Sequence, residues 1–521
     1  MNLHTLLRSN AAAIVVLTAA TAVVAAPLLA EGQVYSSWDA LFSAVFLERL
    51  QWSLLTGADW TVGPAAWPVE DSITQADWMG GQALLGLPLR WMPVHRMYAL
   101  LGVMGLWLTA LATAAAARAL MGAGPHTWIA GIAGGLSCAL VAHGAHINLT
   151  HHELLVAGAA LLAAGLHTGQ LRHAALGGLF LALSAQLGLY VGFHAVVVFG
   201  LLLLTLPRLR PALAAVAGAA LGGLTLVPVL RAYQRAADAN QSWYGDTAHA
   251  VGSWDIAQSM LPSPYIPLHA PYAPTIRFNQ IVSQVNPGYT LVVLGLVGVV
   301  LALWQAERRR LWIAVVVVWA VSAALAMGPE ITVNGNRLGT GPHWLLSQLP
   351  GGRGFRVPAR WLQVTFIANA LLAALVVQKL SAWRPVVGVI VGVMVLVELP
   401  QVQVGKWTTA TLDPEPVYGG LLDGLGPMVE IAAQNRPGCN RFRNLSAAAL
   451  HHRPLVGGTF ARRVPALERA NQLRSRWPHP DTIAFFDEIG VEVVLEHPPI
   501  RRAAPEGWSC VLVDGHRICR R

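Results

Sequence analysis

Apolar runs of about 20 residues recur along the first 400 residues, and they constrain the fold more than any other feature. A helix needs about 20 predominantly apolar residues to cross the hydrocarbon core of a bilayer. By this measure the sequence predicts about eleven spans, near residues 11–30, 96–118, 127–147, 152–167, 173–189, 190–206, 211–230, 289–305, 310–327, 361–379 and 384–400. Only 12% of the residues are charged, against about 25% in soluble domains, which excludes an ordinary soluble enzyme.

Two of these runs allow more than one interpretation. Arg8 precedes the first run, which ends in small residues, and this pattern also occurs in cleaved signal peptides. The run from Ala11 to Ala30 is longer than the ~7–15-residue core of a signal peptide, so we expect a retained helix. The stretch 174–206 fits either two spans joined by a tight turn at Gly188–Tyr190 or one long broken helix.

Basic residues are distributed asymmetrically among the short loops between the spans. If the N-terminus is cytoplasmic, the inner loops hold Arg8, Arg118, Arg172, Arg208, Arg210, Arg308, Arg309, Arg310, Lys379 and Arg384. Because cytoplasmic loops carry an excess of Lys and Arg, we predict outer segments at 31–95, 231–288 and 328–360 and everywhere after Pro400. This topology accounts for most of the net charge of +9, which therefore does not indicate a nucleic-acid partner.

The sequence changes character after residue 400, which divides the chain into a transmembrane domain, 1–400, and a tail, 401–521. The tail has the mixed charge of an ordinary solvated surface. Thr482–Gly490 predicts a helix with a glycine stop, and Val491–Leu495 predicts a strand. We therefore expect a small extracytoplasmic α/β domain.

A hairpin signal lies at the end of the tail. Asp514-Gly515 separates two strand-like triplets, and counting outward from this turn places Cys510 opposite Cys519. In an oxidising compartment this pairing predicts a cross-strand disulfide, whereas a bridge from Cys439 to either partner remains the competing possibility.

Acidic residues and tryptophans are concentrated in the outer segment 31–95. Asp39 comes soon after the first span, where a carboxylate can act as a general base on a hydroxyl acceptor. Trp38, Trp67 and Trp78 offer flat apolar faces for sugar rings or lipid headgroups. The alternative is interfacial anchoring, since tryptophan is enriched at membrane interfaces for purely physical reasons. The segment contains no Asp-x-Asp pair, so metal binding is not specifically indicated.

Three histidines and a glutamate lie within eight residues of a predicted outer turn, His146-Ile-Asn-Leu-Thr-His-His152-Glu153. Imidazoles bind phosphate when protonated and metal ions when neutral. The spacing matches no standard zinc frame. We assign His146 and His151 as candidate phosphate ligands, with a polar cap on a short turn as the alternative.

A run rich in glycine and arginine, Leu349-Pro-Gly-Gly-Arg-Gly-Phe-Arg-Val-Pro-Ala-Arg360, ends at the predicted outer mouth of a late span. Pro358 lies between Arg356 and Arg360 and favours the start of a helix there. Guanidinium groups beside the free N–H groups of a helix N-terminus bind anions well. Arg356 and Arg360 are therefore candidate ligands of a phosphate at headgroup level, with interfacial anchoring as the alternative.

Few ionisable or amide side chains lie inside the predicted spans beyond His143, Gln186 and His194. Transporters commonly place ionisable residues near the bilayer midplane, so this scarcity favours a site at the outer surface. The sequence also contains no P-loop and no Rossmann glycine fingerprint, which excludes the common cytoplasmic nucleotide sites.

In order and spacing, these features resemble the GT-C superfamily of integral membrane glycosyltransferases, and more closely the YfhO-like group of bacterial membrane proteins. The resemblance spans nearly the whole chain. It is carried by Asp39, the His-Ile-Asn-Leu-Thr-His turn, the Pro-Gly-Gly-Arg-Gly-Phe-Arg-Val-Pro-Ala-Arg run, and the tail stretches Val417-Tyr-Gly-Gly-Leu-Leu and Ile489-Gly-Val-Glu-Val-Val-Leu. GT-C enzymes often have paired acidic residues in the first loop, whereas Asp39 stands between Trp38 and Ala40.

The resemblance implies inverting transfer of a hexosyl or pentosyl group from a polyprenyl-phosphate donor to an envelope glycan or lipid, at the outer face of the bacterial cytoplasmic (inner) membrane. In that reaction Asp39 is the base. The implied donor-phosphate ligands are Arg356, Arg360, His146 and His151, and the implied sugar or lipid contacts are Trp38, Trp67 and Trp78. We expect no cofactor, with a divalent cation left open. A non-catalytic envelope protein or a lipid-linked-sugar transporter of the same fold is the competing prediction.

Overall fold

The computed structural model describes most of the helical region and part of the tail. The described residues are 10–29, 33–35, 38–240, 253–255, 257, 260–273, 286–305, 308–349, 352–402, 404–406, 427–431, 453–456, 465–496, 503–513 and 516–521. Several sequence predictions lie outside them, namely Cys439, the stretch 417–422, the Asp514-Gly515 turn and the side chains of Trp38 and Asp39.

The chain divides into two compact units. Unit 1 comprises Met1–Tyr35, Ala99–Leu226 and Gly245–Val404, and unit 2 comprises Ser36–Tyr98, Val227–Tyr244 and Gly405–Arg521. The last boundary lies close to the change in composition at residue 400. Unit 2 additionally contains most of the first predicted outer segment and the beginning of the second.

Helices dominate the described residues. In chain order they are α1 (Asn10–Leu29), α2 (Trp38–Thr56), α3 (Gly80–Gly86), α4 (Val94–Met121), α5 (Pro125–Gly135), α6 (Cys138–Val141), α7 (Glu153–Thr168), α8 (Leu171–Leu187), α9 (Leu189–Thr205), α10 (Leu209–Leu224), α11 (Val227–Asn240), α12 (Tyr289–Trp304), α13 (Arg309–Ala326), α14 (His343–Ser347), α15 (Leu362–Trp383), α16 (Pro385–Val397), α17 (Pro465–Arg474) and α18 (Pro480–Glu488). The strands are β1 (Gln33–Tyr35), β2 (Glu330–Val333), β3 (Asn336–Thr340), β4 (Val404–Lys406), β5 (Met428–Ile431), β6 (Val493–Glu496), β7 (Ser509–Val513) and β8 (His516–Arg520).

Several helices are long and apolar enough to cross a membrane. Within the described ranges they number five, or six if α10 and α11 form one broken span: Asn10–Leu28, Val94–Met121, Ile147–Thr168, Arg309–Ala326 and Pro358–Trp383. The helices α9, α12 and α16 are apolar but shorter, with 10–17 residues. The chain is therefore a polytopic helical membrane protein, and the total of eleven spans stays a prediction.

Two predicted spans take a different form in the structure, and one open alternative is decided. Of the two alternatives for 174–206, the structure has the pair of helices, α8 and α9, which are separated by Gly188. The span at 127–147 is interrupted, because α5 ends at Gly135 and a short helix and turns follow. At 211–230, α10 stops at Leu224 because Pro228 supplies no N–H and would crowd the preceding turn.

The core of unit 1 is built around α15, whose residues from Leu362 to Val377 are all buried. Two of its polar side chains bond to neighbouring helices: Thr365 donates to Ser322 at 2.9 Å, and Asn369 donates to the Leu291 carbonyl at 2.9 Å. Such interhelical hydrogen bonds hold helices together where lipid provides no hydrophobic driving force. As a result α15 is a rigid base for the residues that precede it.

The tail folds into the predicted α/β arrangement within unit 2. Its sheet has the strand order β5-β6-β8-β7, with β5 parallel to β6 and the other pairs antiparallel. Trp477, Phe485 and Phe486 pack beneath it together with Val494. The helix α18 and the strand β6 lie where the sequence predicts them.

The C-terminal hairpin has the register that counting from the turn predicts. Val513 pairs with His516, and Cys510 pairs with Cys519. These two cysteines form a disulfide bond, with their Cα atoms 4.0 Å apart. Closing a loop of this size stabilises a domain by on the order of 2–3 kcal/mol.

Candidate functional site

Arg360 lies in a 3-10 turn, Pro358–Trp361, that leads directly into α15. The proline fixes the backbone for the first turn of a helix, as its position predicts. Only 9% of Arg360 is exposed. A helix N-terminus carries a partial positive charge, so a buried cation beside it is unfavourable unless an anion is also present.

The first turns of α9 face this arginine. Tyr190 and His194 are four residues apart and therefore lie on one face of the helix. The Cζ atom of Arg360 is 4.1 Å from the centroid of the Tyr190 ring, in a cation–π contact. The His194 ring lies 4.4 Å from that of Trp361. In this way α9 fixes the position of the guanidinium group.

The segment before Arg360 is held through its backbone. The Tyr190 hydroxyl donates to the Gly354 carbonyl at 3.4 Å and accepts from the Val357 N–H at 3.3 Å. The buried His343 donates through Nε2 to the Phe355 carbonyl at 3.1 Å. Arg356 lies inside this fixed segment and is half-buried.

The predicted histidine turn is pinned to α4. Nδ1 of His151 contacts a Glu153 carboxylate oxygen at 2.8 Å, and Nε2 donates to the Leu101 carbonyl at 3.0 Å. Gly105 makes this approach possible, because a Cβ atom there would lie 2.7 Å from the His151 ring. Both ring nitrogens of His151 thus have partners within the protein, and its role as a phosphate ligand stays a prediction.

The neighbouring His152 has a different environment. Its backbone N–H donates to Thr109 Oγ1 at 2.9 Å, while its side chain is completely buried. Both of its ring nitrogens are without a hydrogen-bond partner in the described part of the chain. The His152 ring lies 5.9 Å from that of His194.

His143, in the turn after α6, is the third such imidazole. Its Nδ1 donates to the Ala139 carbonyl at 2.7 Å, which leaves the lone pair of the neutral ring on Nε2. Nε2 is buried and has no partner among the described residues. Arg360 lies close enough to act electrostatically on both His143 and His194.

Together His143, His152, His194 and Arg360 form a group that we call the imidazole–guanidinium cluster. Five of its nitrogen atoms are buried without a partner in the described residues: His143 Nε2, His152 Nδ1 and Nε2, His194 Nδ1 and Arg360 Nε. Buried polar atoms are normally hydrogen-bonded, and a concentration of unpaired ones indicates a bound ion, water or ligand. With a guanidinium among them, the cluster is suited to an anion.

The other predicted site residues lie elsewhere or have other contacts. Asp39 is in the first turn of α2, in unit 2. The Trp67 indole donates to the Ile489 carbonyl at 2.9 Å and packs on the tail core, a role that the sequence did not predict. Trp78 lies edge-on to Trp60, with centroids 5.6 Å apart. His146 is half-buried in the histidine turn.

Sequence reasoning missed the importance of His152, His194 and Tyr190. A signal was present, because His143 and His194 are among the few ionisable residues inside the predicted spans. Searching the described residues for three or more His, Cys, Asp or Glu side chains that could hold a metal ion gives no such group. The expectation about cofactors therefore stays untested.

Comparison with known proteins identifies the fold. No protein-family model matches the chain, and no curated protein matches it. The arabinofuranosyltransferase AftD from Mycobacteria superimposes with a TM-score of 0.53 at 14% identity, covering 98% of this chain and 39% of that one. The chain thus spans about two fifths of the length of AftD.

Two further structures are of ArnT from Cupriavidus metallidurans, one bound to undecaprenyl phosphate and one in the apo state. They match with 12% and 13% identity, a TM-score of 0.37, and 98% coverage of both chains. None of the matches tests the predicted YfhO-like grouping. The likeness to AftD shows that this chain has the same fold as part of AftD.

Proposed function

We propose that the protein is a membrane glycosyltransferase that transfers a sugar from a polyprenyl-phosphate donor to a glycan or lipid of the cell envelope. The observation that carries this proposal is the imidazole–guanidinium cluster, with its five unpartnered buried nitrogen atoms. The fold shared with AftD supports it, since AftD is an arabinofuranosyltransferase.

The donor phosphate binds Arg360 in this proposal. The guanidinium and the N-terminus of α15 supply positive charge, and the ring N–H groups of His152 and His194 donate hydrogen bonds to phosphate oxygens. Arg356 and His146 lie on two of the three segments that form the cluster and are proposed to contact the rest of the headgroup. Because the cluster is buried, each interaction is stronger than it would be in water.

Asp39 is the proposed base. Its carboxylate takes the proton of the acceptor hydroxyl, the acceptor oxygen attacks the anomeric carbon, and the bond from that carbon to the phosphate oxygen breaks. The electron pair of that bond stays on the polyprenyl phosphate. A single displacement of this kind inverts the anomeric configuration, and Arg360 stabilises the charge that develops on the leaving group. Trp38 and Trp78 are proposed to contact the sugar or lipid.

We place the protein in a bacterial cytoplasmic membrane with its N-terminus inside and its C-terminal domain outside. The asymmetric distribution of arginines in the short loops supports this orientation. Both substrates are then presented at the outer face, where a membrane-embedded lipid carrier can meet an envelope acceptor.

The proposal is tested by incubating the purified protein with polyprenyl-phosphate sugars and measuring the free lipid phosphate released. Asp39→Asn keeps the side-chain shape but removes the proton acceptor, so turnover should fall about 10²–10⁴-fold while donor binding survives. Glu48→Gln is the matched control, because Glu48 lies in the same helix but is paired with Arg90 at 2.5 Å. Parallel reactions with a chelator show whether a divalent cation is needed.

Equal turnover of the wild type and Asp39→Asn with a verified donor would overturn the assignment of the base. Absence of turnover with intact binding of the donor would favour the competing role as a non-catalytic envelope protein or lipid-linked-sugar transporter. In either case the buried cluster would remain a binding site.

A further inference from the structure

The imidazole–guanidinium cluster contains one permanent positive charge and three groups that can acquire one. Arg360 is always protonated, whereas His143, His152 and His194 are neutral unless they take up a proton. All four residues are at least nine-tenths buried. In such surroundings an uncompensated charge is costly, so a bound anion must be matched by the charge of the cluster.

The two phosphate species of the proposed reaction differ in charge. A polyprenyl-phosphate sugar is a phosphodiester with one negative charge, which Arg360 alone balances. The released polyprenyl phosphate is a monoester whose second ionisation lies near pH 6, so at neutral pH it carries close to two negative charges. Arg360 and the partial charge of the α15 N-terminus do not balance two charges, and the charge of the half-buried Arg356 is screened by water.

Resting on the proposed function, we infer that His152 and His194 make the cluster a proton-accepting site that prefers the phosphate monoester: the pair takes up one proton when polyprenyl phosphate binds and none when the phosphodiester donor binds. His152 offers two unpartnered ring nitrogens and His194 offers one. Nδ1 of His143 already donates to a backbone carbonyl, so the neutral ring presents only a lone pair on Nε2 and is not a member of the proton-accepting pair.

Most of the titratable groups around this pair are basic. His151 acts electrostatically on His152, and His152, Arg360 and His143 act on His194. His146 acts on His143 in the same way, and Glu153, the carboxylate on α7, is already paired with His151 at 2.8 Å. The negative charge that favours protonation therefore has to come from the ligand.

The proton balance of a turnover is then complete. Asp39 receives the acceptor proton, the phosphate oxygen receives the electron pair of the broken bond, and the His152–His194 pair takes one proton from water to match the new charge. Release of the monoester returns that proton to water. The site thus binds its product more tightly than its donor, and product inhibition weakens as the pH rises.

The test is calorimetric titration of the full-length wild-type protein in detergent with three probes: farnesyl phosphate, its methyl phosphodiester and inorganic phosphate. Repeating each titration in buffers of different ionisation enthalpy gives the number of protons taken up. We expect about one proton for farnesyl phosphate at pH 7.5, none for the diester, and a dissociation constant of the monoester that rises about tenfold per pH unit above pH 7. Inorganic phosphate should show the same uptake with affinity lower by about tenfold or more, since it lacks the chain.

The double variant His152→Gln/His194→Gln should lose the proton uptake and bind the two farnesyl ligands with similar affinity. His173→Gln, on α8 outside the cluster, is the matched control and should keep the wild-type values. If the double variant does not fold, the phosphorus NMR shift of bound farnesyl phosphate decides the inference, because it distinguishes a dianion beside a protonated imidazole from a bound monoanion. Binding of both farnesyl ligands without proton uptake would overturn the inference but leave the proposed function intact. Failure to bind either would count against the proposed function, and equally tight binding of inorganic phosphate would exclude a lipid site.

Discussion

Two groups of buried charges, one in each unit, have different surroundings. In unit 2 the Asp71 carboxylate accepts two hydrogen bonds from Arg235, at 2.8 and 3.0 Å, and Glu496 is paired with both Arg517 and Trp477. In unit 1 five buried nitrogen atoms of the imidazole–guanidinium cluster have no partner in the described part of the chain.

This difference separates charges that hold the fold from charges that await a ligand. A paired buried charge has its hydrogen-bond partner within the protein. Removing one partner leaves the other charge buried without compensation, which costs much free energy. An unpartnered buried polar group costs about 1–3 kcal/mol in the folded protein and is compensated only when something binds. The first kind of residue should therefore affect stability, and the second should affect ligand binding.

The sharpest test of this distinction is Arg360→Ala in unit 1. Loss of the guanidinium should lower kcat/KM for a polyprenyl-phosphate sugar about 10²–10³-fold, since it removes charge from both the bound donor and the leaving phosphate. The free energy of unfolding should change little or even increase, because an uncompensated buried charge disappears. Kinetics and unfolding in a denaturing detergent measure the two effects.

Two variants refine this experiment. Arg360→Lys should restore only part of the activity, because it keeps the charge but loses the planar fork. Arg356→Ala, at a half-buried position, should cost only about tenfold, since exposed charges are screened by water. A large loss of stability in Arg360→Ala, with ligand binding unchanged, would contradict the assignment of the cluster as a binding site.

The opposite behaviour is expected for Asp71 in unit 2. Asp71 has a left-handed backbone conformation, with φ of 48°, which asparagine tolerates well, so Asp71→Asn removes the charge without straining the turn. The variant should destabilise the protein by about 1–2 kcal/mol, since half of Arg235 is already exposed to water and the full cost of a buried pair is not reached. Donor affinity should stay at the wild-type value. Reduced donor affinity together with unchanged stability would contradict the assignment of Asp71 as a residue that holds the fold.

The sequence was informative where structure depends on local pattern. Apolar runs located most of the helices, and the hairpin register followed from a two-residue turn, which is why Cys510 and Cys519 could be paired. The prediction of a continuous span at 127–147 was wrong, because hydropathy alone does not detect the end of the helix at Gly135. Glycines and serine at that point lower helix propensity without making the run less apolar.

The candidate site depended instead on contacts between distant segments. His151 and His152 are neighbours in the sequence and chemically identical, yet one is bound by Leu101 and Glu153 and the other faces His194. Only the packing of α4 and α9 around the turn decides between them. Trp67 is a similar case, because its partner Ile489 lies far along the chain and no local pattern indicates it.

The smallest expected effect concerns the ion pair between Glu48 and Arg90 in unit 2. A variant of Glu48 tests whether this pair stabilises the fold or only offsets the cost of burying the carboxylate. Burial raises the pKa of the Glu48 carboxyl above its ordinary value of 4.5, and the pairing with Arg90 opposes that rise only in part. Between the unfolded and the raised folded pKa, the folded protein holds a proton that the unfolded chain has lost, so stability should fall as the pH rises through this window. Glu48→Gln removes the titrating carboxyl group. The difference in unfolding free energy between wild type and variant should change by less than about 1 kcal/mol between pH 4 and 7.

If the wild type instead gains stability relative to Glu48→Gln as the pH rises, the ion pair contributes more than its desolvation costs. The Glu48–Arg90 pair would then add to the stability of the fold, whereas the unpartnered cluster of unit 1 lowers it.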